Sequence, residues 1–191
     1  MSAACYSDDE LEALRPLGVY CAPGAQVSRR AAFYGVENIT VGHGSRIDDG
    51  CILTGRISVG VRVHLAPYCV LYGKAGITIG DYSGFGVGTC MHSESDDYVG
   101  GSMFGPCVPA EYQPGKQRAP IVIGCHVLGG TRVTMLPGAL IGTGAAIGAH
   151  SLVKGSLDPW EVYAGAPARK IGVRDRRGCI LVEPVTHWRE C

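Results

Sequence analysis

One histidine stands among three carboxylates in the run His92-Ser93-Glu94-Ser95-Asp96-Asp97-Tyr98. Those residue types at that spacing suit general acid–base work on an amine or a hydroxyl. The imidazole of His92 accepts the proton, and a carboxylate orients it or holds a protonated amine. A solvated acidic loop would have the same composition. Position favours chemistry, because the run opens a long stretch, residues 92–119, rich in Ser, Asp, Gly, Pro and Tyr. A long excursion of this kind inside a regular structure is commonly functional. His64 ends the segment Val59-Gly60-Val61-Arg62-Val63-His64 and points outward. It either lines the same cleft or is a surface or interface histidine.

A second group of residues is small rather than reactive. Gly144-Ala145-Ala146-Ile147-Gly148-Ala149 and Val162-Tyr163-Ala164-Gly165-Ala166-Pro167-Ala168 permit close approach, and Arg169-Lys170 follow. A slender groove past Ala145, Gly148, Ala149, Ala164 and Ala166, with the cations Arg169 and Lys170 at its end, suits a pantetheine arm and the phosphates of coenzyme A. A plain end cap with a solvated basic edge would also account for it.

A repeat must position both groups. Val41, Ile47, Leu53, Val59, Leu65 and Leu71 fall on a six-residue ladder, as do Ile79, Phe85 and Met91. The ladder resumes from Ile123 to Val153, broken in aliphatic character at Gly129, and the step from Val59 to Ile79 carries two extra residues. Four places after the ladder positions come small or β-branched residues: Ser45, Cys51, Val63, Cys69, Ser83, Thr89, Val127, Val133, Ala139, Ala145 and Ser151. A helix stripe would repeat at 3.6, so a period of six with two inward positions predicts three short strands per coil of a parallel solenoid. Glycine then serves the tight corners. Before the coils, Ser7 with Glu10 three residues later and Pro16 beyond predicts a short capped helix over residues 7–16. Residues 156–191 leave the ladder as a cap and tail, and the whole chain, 1–191, reads as one domain.

Composition agrees. Glycine numbers 29 of 191 residues, net charge is zero and charged residues make up 18%. So neutral and apolar a chain is not disordered, and has no global pull toward nucleic acid or an anionic membrane. Neither a spanning segment nor a signal-peptide core is expected. The nine cysteines lack a C-x-x-C pair and are read as reduced thiols, several of them core filler. His43, His126 and His150 fall at coil corners and are expected to be exposed; His187 lies in the tail. No histidine spacing suggests a metal site.

The segment Val162 to Ile171 resembles the closing motif of hexapeptide-repeat acyl-CoA transferases, homotrimers with active sites between subunits. Tyr6-Ser7-Asp8-Asp9-Glu10-Leu11, Arg46-Ile47-Asp48-Asp49-Gly50-Cys51-Ile52-Leu53, Asp96-Asp97-Tyr98 and Leu157-Asp158-Pro159-Trp160 resemble one branch. That branch holds the sugar N-acyltransferases of anthrose and viosamine biosynthesis, which acylate the 4-amino group of a dTDP-linked 4-amino-4,6-dideoxyglucose. The similarity spans residues 6–173.

The resemblance implies an all-β fold, a left-handed parallel β-helix with a short N-terminal helix and a long loop. It also implies acyl-CoA, here acetyl-CoA, as co-substrate, a nucleotide-sugar acceptor, a cytoplasmic homotrimer, and a place in surface-polysaccharide (lipopolysaccharide, O-antigen) synthesis. Neither metal, nucleic acid nor membrane is a partner. Asp96 matches the aspartate that contacts the sugar amine, and Glu94, Asp97 and Tyr98 are read with it as acceptor-binding residues. His92 or His64 takes the proton, and a backbone N–H near Gly129-Gly130, beside the bound thioester, faces the oxyanion. Two departures stand out: Gly86 replaces an active-site serine of the branch, and His92 replaces an aromatic residue. His64 matches a histidine of relatives. A sugar O-acetyltransferase and a non-catalytic trimeric scaffold are the alternative readings.

Overall fold

In a computed structural model, residues 5–180 are described. Their strands wind as a parallel β-solenoid whose coils present three faces, the left-handed β-helix expected from the resemblance. On the first face, Cys21, Val41, Val59, Ile79, Ile123, Ile141 and Leu157 lie in register. The second face stacks Val27, Ile47, Leu65, Phe85, Gly129, Ile147 and Tyr163. Phe33, Leu53, Leu71, Met91, Met135 and Val153 make the third. Each ladder residue therefore stacks on its counterpart one coil away, and a single apolar column fills the prism.

The small inward residues are buried too, and the polar ones among them are satisfied. Ser45 Oγ donates to the Gly60 carbonyl at 2.7 Å and accepts from Val63 N at 2.9 Å. Ser83 Oγ donates to the Gly124 carbonyl at 3.1 Å, and Thr89 Oγ1 to that of Gly130 at 3.2 Å. A hydroxyl at a corner thus takes up backbone groups that the turning strand cannot pair, which offsets the cost of burying them.

The glycines divide into two kinds. Gly44, Gly50, Gly88 and Gly144 hold positive φ at corners. Those directly after a ladder residue, such as Gly80 and Gly142, meet the next coil's backbone instead. A Cβ on Gly80 would stand 2.5 Å from Gly124 C. Not every corner needs glycine: Arg62, Tyr68, Tyr82, His126, Arg132, His150 and Trp160 also adopt positive φ.

The N-terminal helix spans Asp8–Glu12, shorter than the stretch 7–16, because a 3-10 turn, Arg15–Leu17, takes over at Pro16. Ser7 and Glu10 form the capping box. At the other end Glu161–Ala164 pairs antiparallel with Arg169–Val173, closing the last coil. His187 lies outside the described residues. Three expectations are corrected. The ladder does not end at residue 156, because Leu157 and Tyr163 continue its first and second faces. Cys125 is disulfide-bonded, whereas Cys5, Cys21, Cys51, Cys69, Cys90, Cys107 and Cys179 are free. His126 is buried rather than exposed, because its ring stacks on Tyr82 at 5.2 Å and faces Trp160 at 6.5 Å.

Candidate active site

Met91 points inward, so strand alternation turns its neighbour His92 out of the third face. There it meets Tyr72, its counterpart one coil earlier, with ring centroids 5.2 Å apart. The chain then leaves the solenoid, and Ser93 anchors its departure. Ser93 is fully buried; its Oγ donates to the Tyr72 carbonyl at 3.0 Å and accepts from Ala75 N at 2.9 Å. Ala75 belongs to the two-residue insertion between Val59 and Ile79. That irregularity in the ladder is therefore a socket for the root of the loop.

Beyond Ser93, Glu94–Ser95 pairs antiparallel with Gln117–Arg118 and closes the neck of the excursion. Ion pairs tighten it: Arg118 Nε lies 2.6 Å from Glu94 Oε2, and Lys116 Nζ lies 3.0 Å from Glu94 Oε1. Burial pushes the Glu94 carboxyl upward, but Arg118 and Lys116 outweigh it and the net shift is downward. Glu94 is thus an anionic brace.

A cleft of about 500 Å³ opens above this neck, lined by Tyr72, His92, Glu94, Ser95, Asp96, Tyr98, Pro106, Lys116, Thr134 and Leu136. Burial holds the His92 imidazole below its ordinary value, so near neutral pH it is an uncharged proton acceptor. Asp96 Oδ1 is shielded from solvent and accepts no hydrogen bond among the described residues, while Lys116 Nζ stands 3.5 Å away. The carboxylate as a whole is 36% exposed and lines the cleft, where it can accept N–H groups from a ligand.

The adjacent aspartate does different work. Asp97 accepts from Val99 N at 2.8 Å, from Gly101 N at 2.9 Å and from Ser102 Oγ at 3.4 Å. Those bonds, led by that from Val99, hold its carboxyl below the usual range. Asp97 therefore shapes the loop and does not line the cleft. Tyr98 lines the rim, 92% exposed.

His64 lies elsewhere. It precedes Leu65 on the second face, pairs with Gly84, and its Nε2 lies 2.8 Å from Asp48 Oδ2. It does not line the cleft of this chain.

The predicted coenzyme groove is partly redrawn. Gly129 sits inward on the ladder, where the Phe85 ring fills its side-chain space. Gly130 N already donates to the Ile147 carbonyl at 2.8 Å, so it is not a free oxyanion donor. Ala145 is fully buried in the prism. Gly148 and Ala164 are half-buried neighbours, while Ala149, Ala166, Arg169 and Lys170 are exposed. Lys170 Nζ is paired with Glu161, which leaves Arg169 as the less encumbered cation. Gly86 also gains a physical reason: a Cβ there would stand 2.6 Å from Thr131 N and 2.8 Å from Gly130 C. With the coils stacked as they are, a serine would force the facing backbone to shift.

Sequence reasoning missed Tyr72, Lys116, Thr134 and Leu136. The ladder held the signal for three of them. Tyr72, His92 and Leu136 each follow a third-face ladder residue, Leu71, Met91 and Met135, and Thr134 precedes Met135. Among the described residues no cluster of three or more His, Cys, Asp or Glu could hold a metal, and no helix is long and apolar enough to cross a membrane.

No family model matches the chain. It is 36% identical over 155 residues to a dTDP-4-amino-4,6-dideoxy-D-glucose acyltransferase of Escherichia coli, covering 80% of each chain. It is 33% identical over 147 residues to WbbJ of E. coli K12, named as a lipopolysaccharide biosynthesis O-acetyl transferase, covering 71% of this chain and 68% of that one. Among solved structures it resembles AntD, an N-acyltransferase from Bacillus cereus, in complex with dTDP and 3-hydroxybutyryl-CoA. The TM-score is 0.85 at 33% identity, covering 94% of this chain and 95% of that one. A serine-to-alanine variant of AntD holds dTDP-4-amino-4,6-dideoxyglucose and coenzyme A, with a TM-score of 0.84, 32% identity, and coverage of 94% and 96%. With the coils, the acidic loop and these relatives agreeing, the chain belongs to the left-handed β-helix acyltransferases, in the family of the dTDP-4-amino-4,6-dideoxyglucose acyltransferases.

Proposed function

We propose that this protein transfers an acyl group, acetyl in the simplest case, from acyl-CoA to the 4-amino group of dTDP-4-amino-4,6-dideoxyglucose or a close relative. The observation that carries the reading is the presence of a partly exposed Asp96 carboxylate and a neutral, half-buried His92 in one cleft. Asp96 accepts an N–H of the sugar amine and aims its lone pair at the thioester carbonyl. Nitrogen attacks, the C=O pair moves onto oxygen, and His92 takes the proton released from nitrogen. Collapse of the tetrahedral adduct breaks the C–S bond, and His92 returns its proton to the departing thiolate. The amide and free CoA are the products.

The exposed apolar loop residues Val99, Met103, Phe104 and Tyr112 support a homotrimer in which the loop packs on a neighbour. In that assembly His64 with its Asp48 partner belongs to a subunit boundary. Such a function belongs in the cytoplasm, in the assembly of lipopolysaccharide or O-antigen sugars.

A sugar O-acetyltransferase is the second reading. His92 favours it, because a hydroxyl needs a base more than a neutral amine does, and WbbJ is a relative. Thiol release from acetyl-CoA, followed with dTDP-4-amino-4,6-dideoxyglucose and with its 4-hydroxy counterpart, separates the readings. Release with the amine alone supports N-acylation. Release with the hydroxyl alone replaces it with O-acylation, and silence with both leaves a scaffold.

A further inference from the structure

Lys116 has a buried place that the proposed chemistry does not explain. It lies at the far side of the excursion, twenty residues after Asp96, with its side chain only 12% exposed. Its ammonium stands 3.0 Å from Glu94 Oε1 and 3.5 Å from Asp96 Oδ1. Burying a lysine is costly unless partners compensate. Glu94 alone would already be served by Arg118, whose Nε lies 2.6 Å from the other carboxylate oxygen. Two cations therefore face two carboxylates, and Lys116 is the one that reaches both.

The contact with Asp96 is loose. At 3.5 Å it holds the carboxylate in place without satisfying the Oδ1 atom, which accepts no hydrogen bond. Such a contact restrains the shielded oxygen and leaves the rest of the carboxylate, 36% exposed, for an incoming N–H. We propose that Lys116 is a positioning residue for the acceptor: tethered by Glu94, it holds the Asp96 carboxylate by its shielded Oδ1, so that the exposed part of the group meets the cleft where the sugar amine binds. This rests on the N-acyltransferase reading above.

The role differs from merely closing the loop. Arg118 braces the same Glu94 across the same neck but has no ion pair with Asp96 among the described residues. A bracing role would make the two cations equivalent, whereas a positioning role would couple Lys116 specifically to Asp96.

The test compares Lys116→Met, Lys116→Arg and Arg118→Met in steady-state assays with acetyl-CoA and dTDP-4-amino-4,6-dideoxyglucose. Lys116→Met is expected to lower kcat/KM for the amino sugar by about tenfold or more, the usual scale for a charge-assisted contact. KM for acetyl-CoA stays unchanged, and Lys116→Arg restores most of the loss. In an Asp96→Asn background, Lys116→Met costs little more, since the partner it positions is gone. Additive losses, or equal losses in Lys116→Met and Arg118→Met, overturn the proposal. The pairing also reads out without turnover. The 15N signal of the Lys116 ammonium is expected to move in Asp96→Asn, and an unmoved signal overturns the proposal. Absence of turnover in the wild type would overturn the N-acyltransferase reading, while the ammonium signal still decides the Lys116–Asp96 pairing.

Discussion

The Phe85 ring occupies the space of the side chain that Gly129 lacks: a Cβ on Gly129 would stand 2.5 Å from Phe85 Cδ1. The two residues are register partners in adjacent coils of the second face. One large and one absent side chain thus share two layers of the prism. Gly129→Ala is expected to destabilise the fold by about 1–3 kcal/mol, as overpacked cores do. Thermal unfolding measures it, and Phe85→Leu in the same chain should recover part of the loss. An unchanged Tm for Gly129→Ala would contradict the packing.

Asp96→Asn is expected to lower kcat by about a hundredfold, the scale of a misaligned nucleophile, while the Kd for CoA stays the same. Asn keeps the shape and one acceptor oxygen but loses the charge that faces Lys116. Calorimetric titration with CoA, run beside the rate assay, distinguishes lost alignment from lost folding. Full turnover in the variant would remove Asp96 from the mechanism.

The solenoid is legible because its core repeats at a sequence interval that no helix shares. Val41, Ile47 and Leu53, spaced by six, mark one position on each of the three faces, and the buried Ser45 and Ser83 follow from the same count. The cleft is harder to read, for a reason of topology. Tyr72, His92 and Leu136 line one cleft because each follows a third-face ladder residue, although Leu136 lies 64 positions after Tyr72. The same arithmetic puts His64, which precedes Leu65, on the second face. Lys116 has no such index. It lies in an aperiodic excursion whose return path depends on the neck pairing Glu94 with Arg118, and no period foretells that pairing.

The pH profile tests His92. Burial lowers its proton affinity, so the imidazole stays neutral below its ordinary value of 6.5. The acid limb of kcat/KM is expected to fall below that pH, and His92→Gln should lower the rate by about a hundredfold or more and abolish the limb. The sign for stability is the same. The folded state binds the proton less readily than the unfolded chain, so stability attributable to His92 is present above 6.5 and fades as the pH falls through the lowered folded value. A limb at or above 6.5 would exclude a buried imidazole as the titrating group.

Gly86→Ser restores the residue type that the family resemblance leads one to expect there, yet it is expected to lower stability without raising activity. The new Cβ would press on Thr131 N and Gly130 C, backbone atoms that cannot swing aside. Overpacking of this kind costs about 1–3 kcal/mol. Tm and kcat measured together decide it, and a more active variant of unchanged Tm would show that the coils can part.

The last prediction separates two adjacent carboxylates by their roles. Asp97 spends its oxygens on Val99 N, Gly101 N and Ser102 Oγ, so its charge organises the loop behind the cleft. Asp97→Ala should therefore raise KM for the amino sugar severalfold, with a smaller effect on kcat than Asp96→Asn. Because the folded carboxyl is held below the usual range, its contribution to loop order is present above the ordinary carboxylate pKa and lost as the pH falls through the lowered value. Hydrogen exchange at the Val99 and Gly101 amides should report that loss in acid. Protection that persists unchanged in Asp97→Ala would mean that the turn holds without its carboxylate, and the two aspartates would then have to exchange the roles assigned to them.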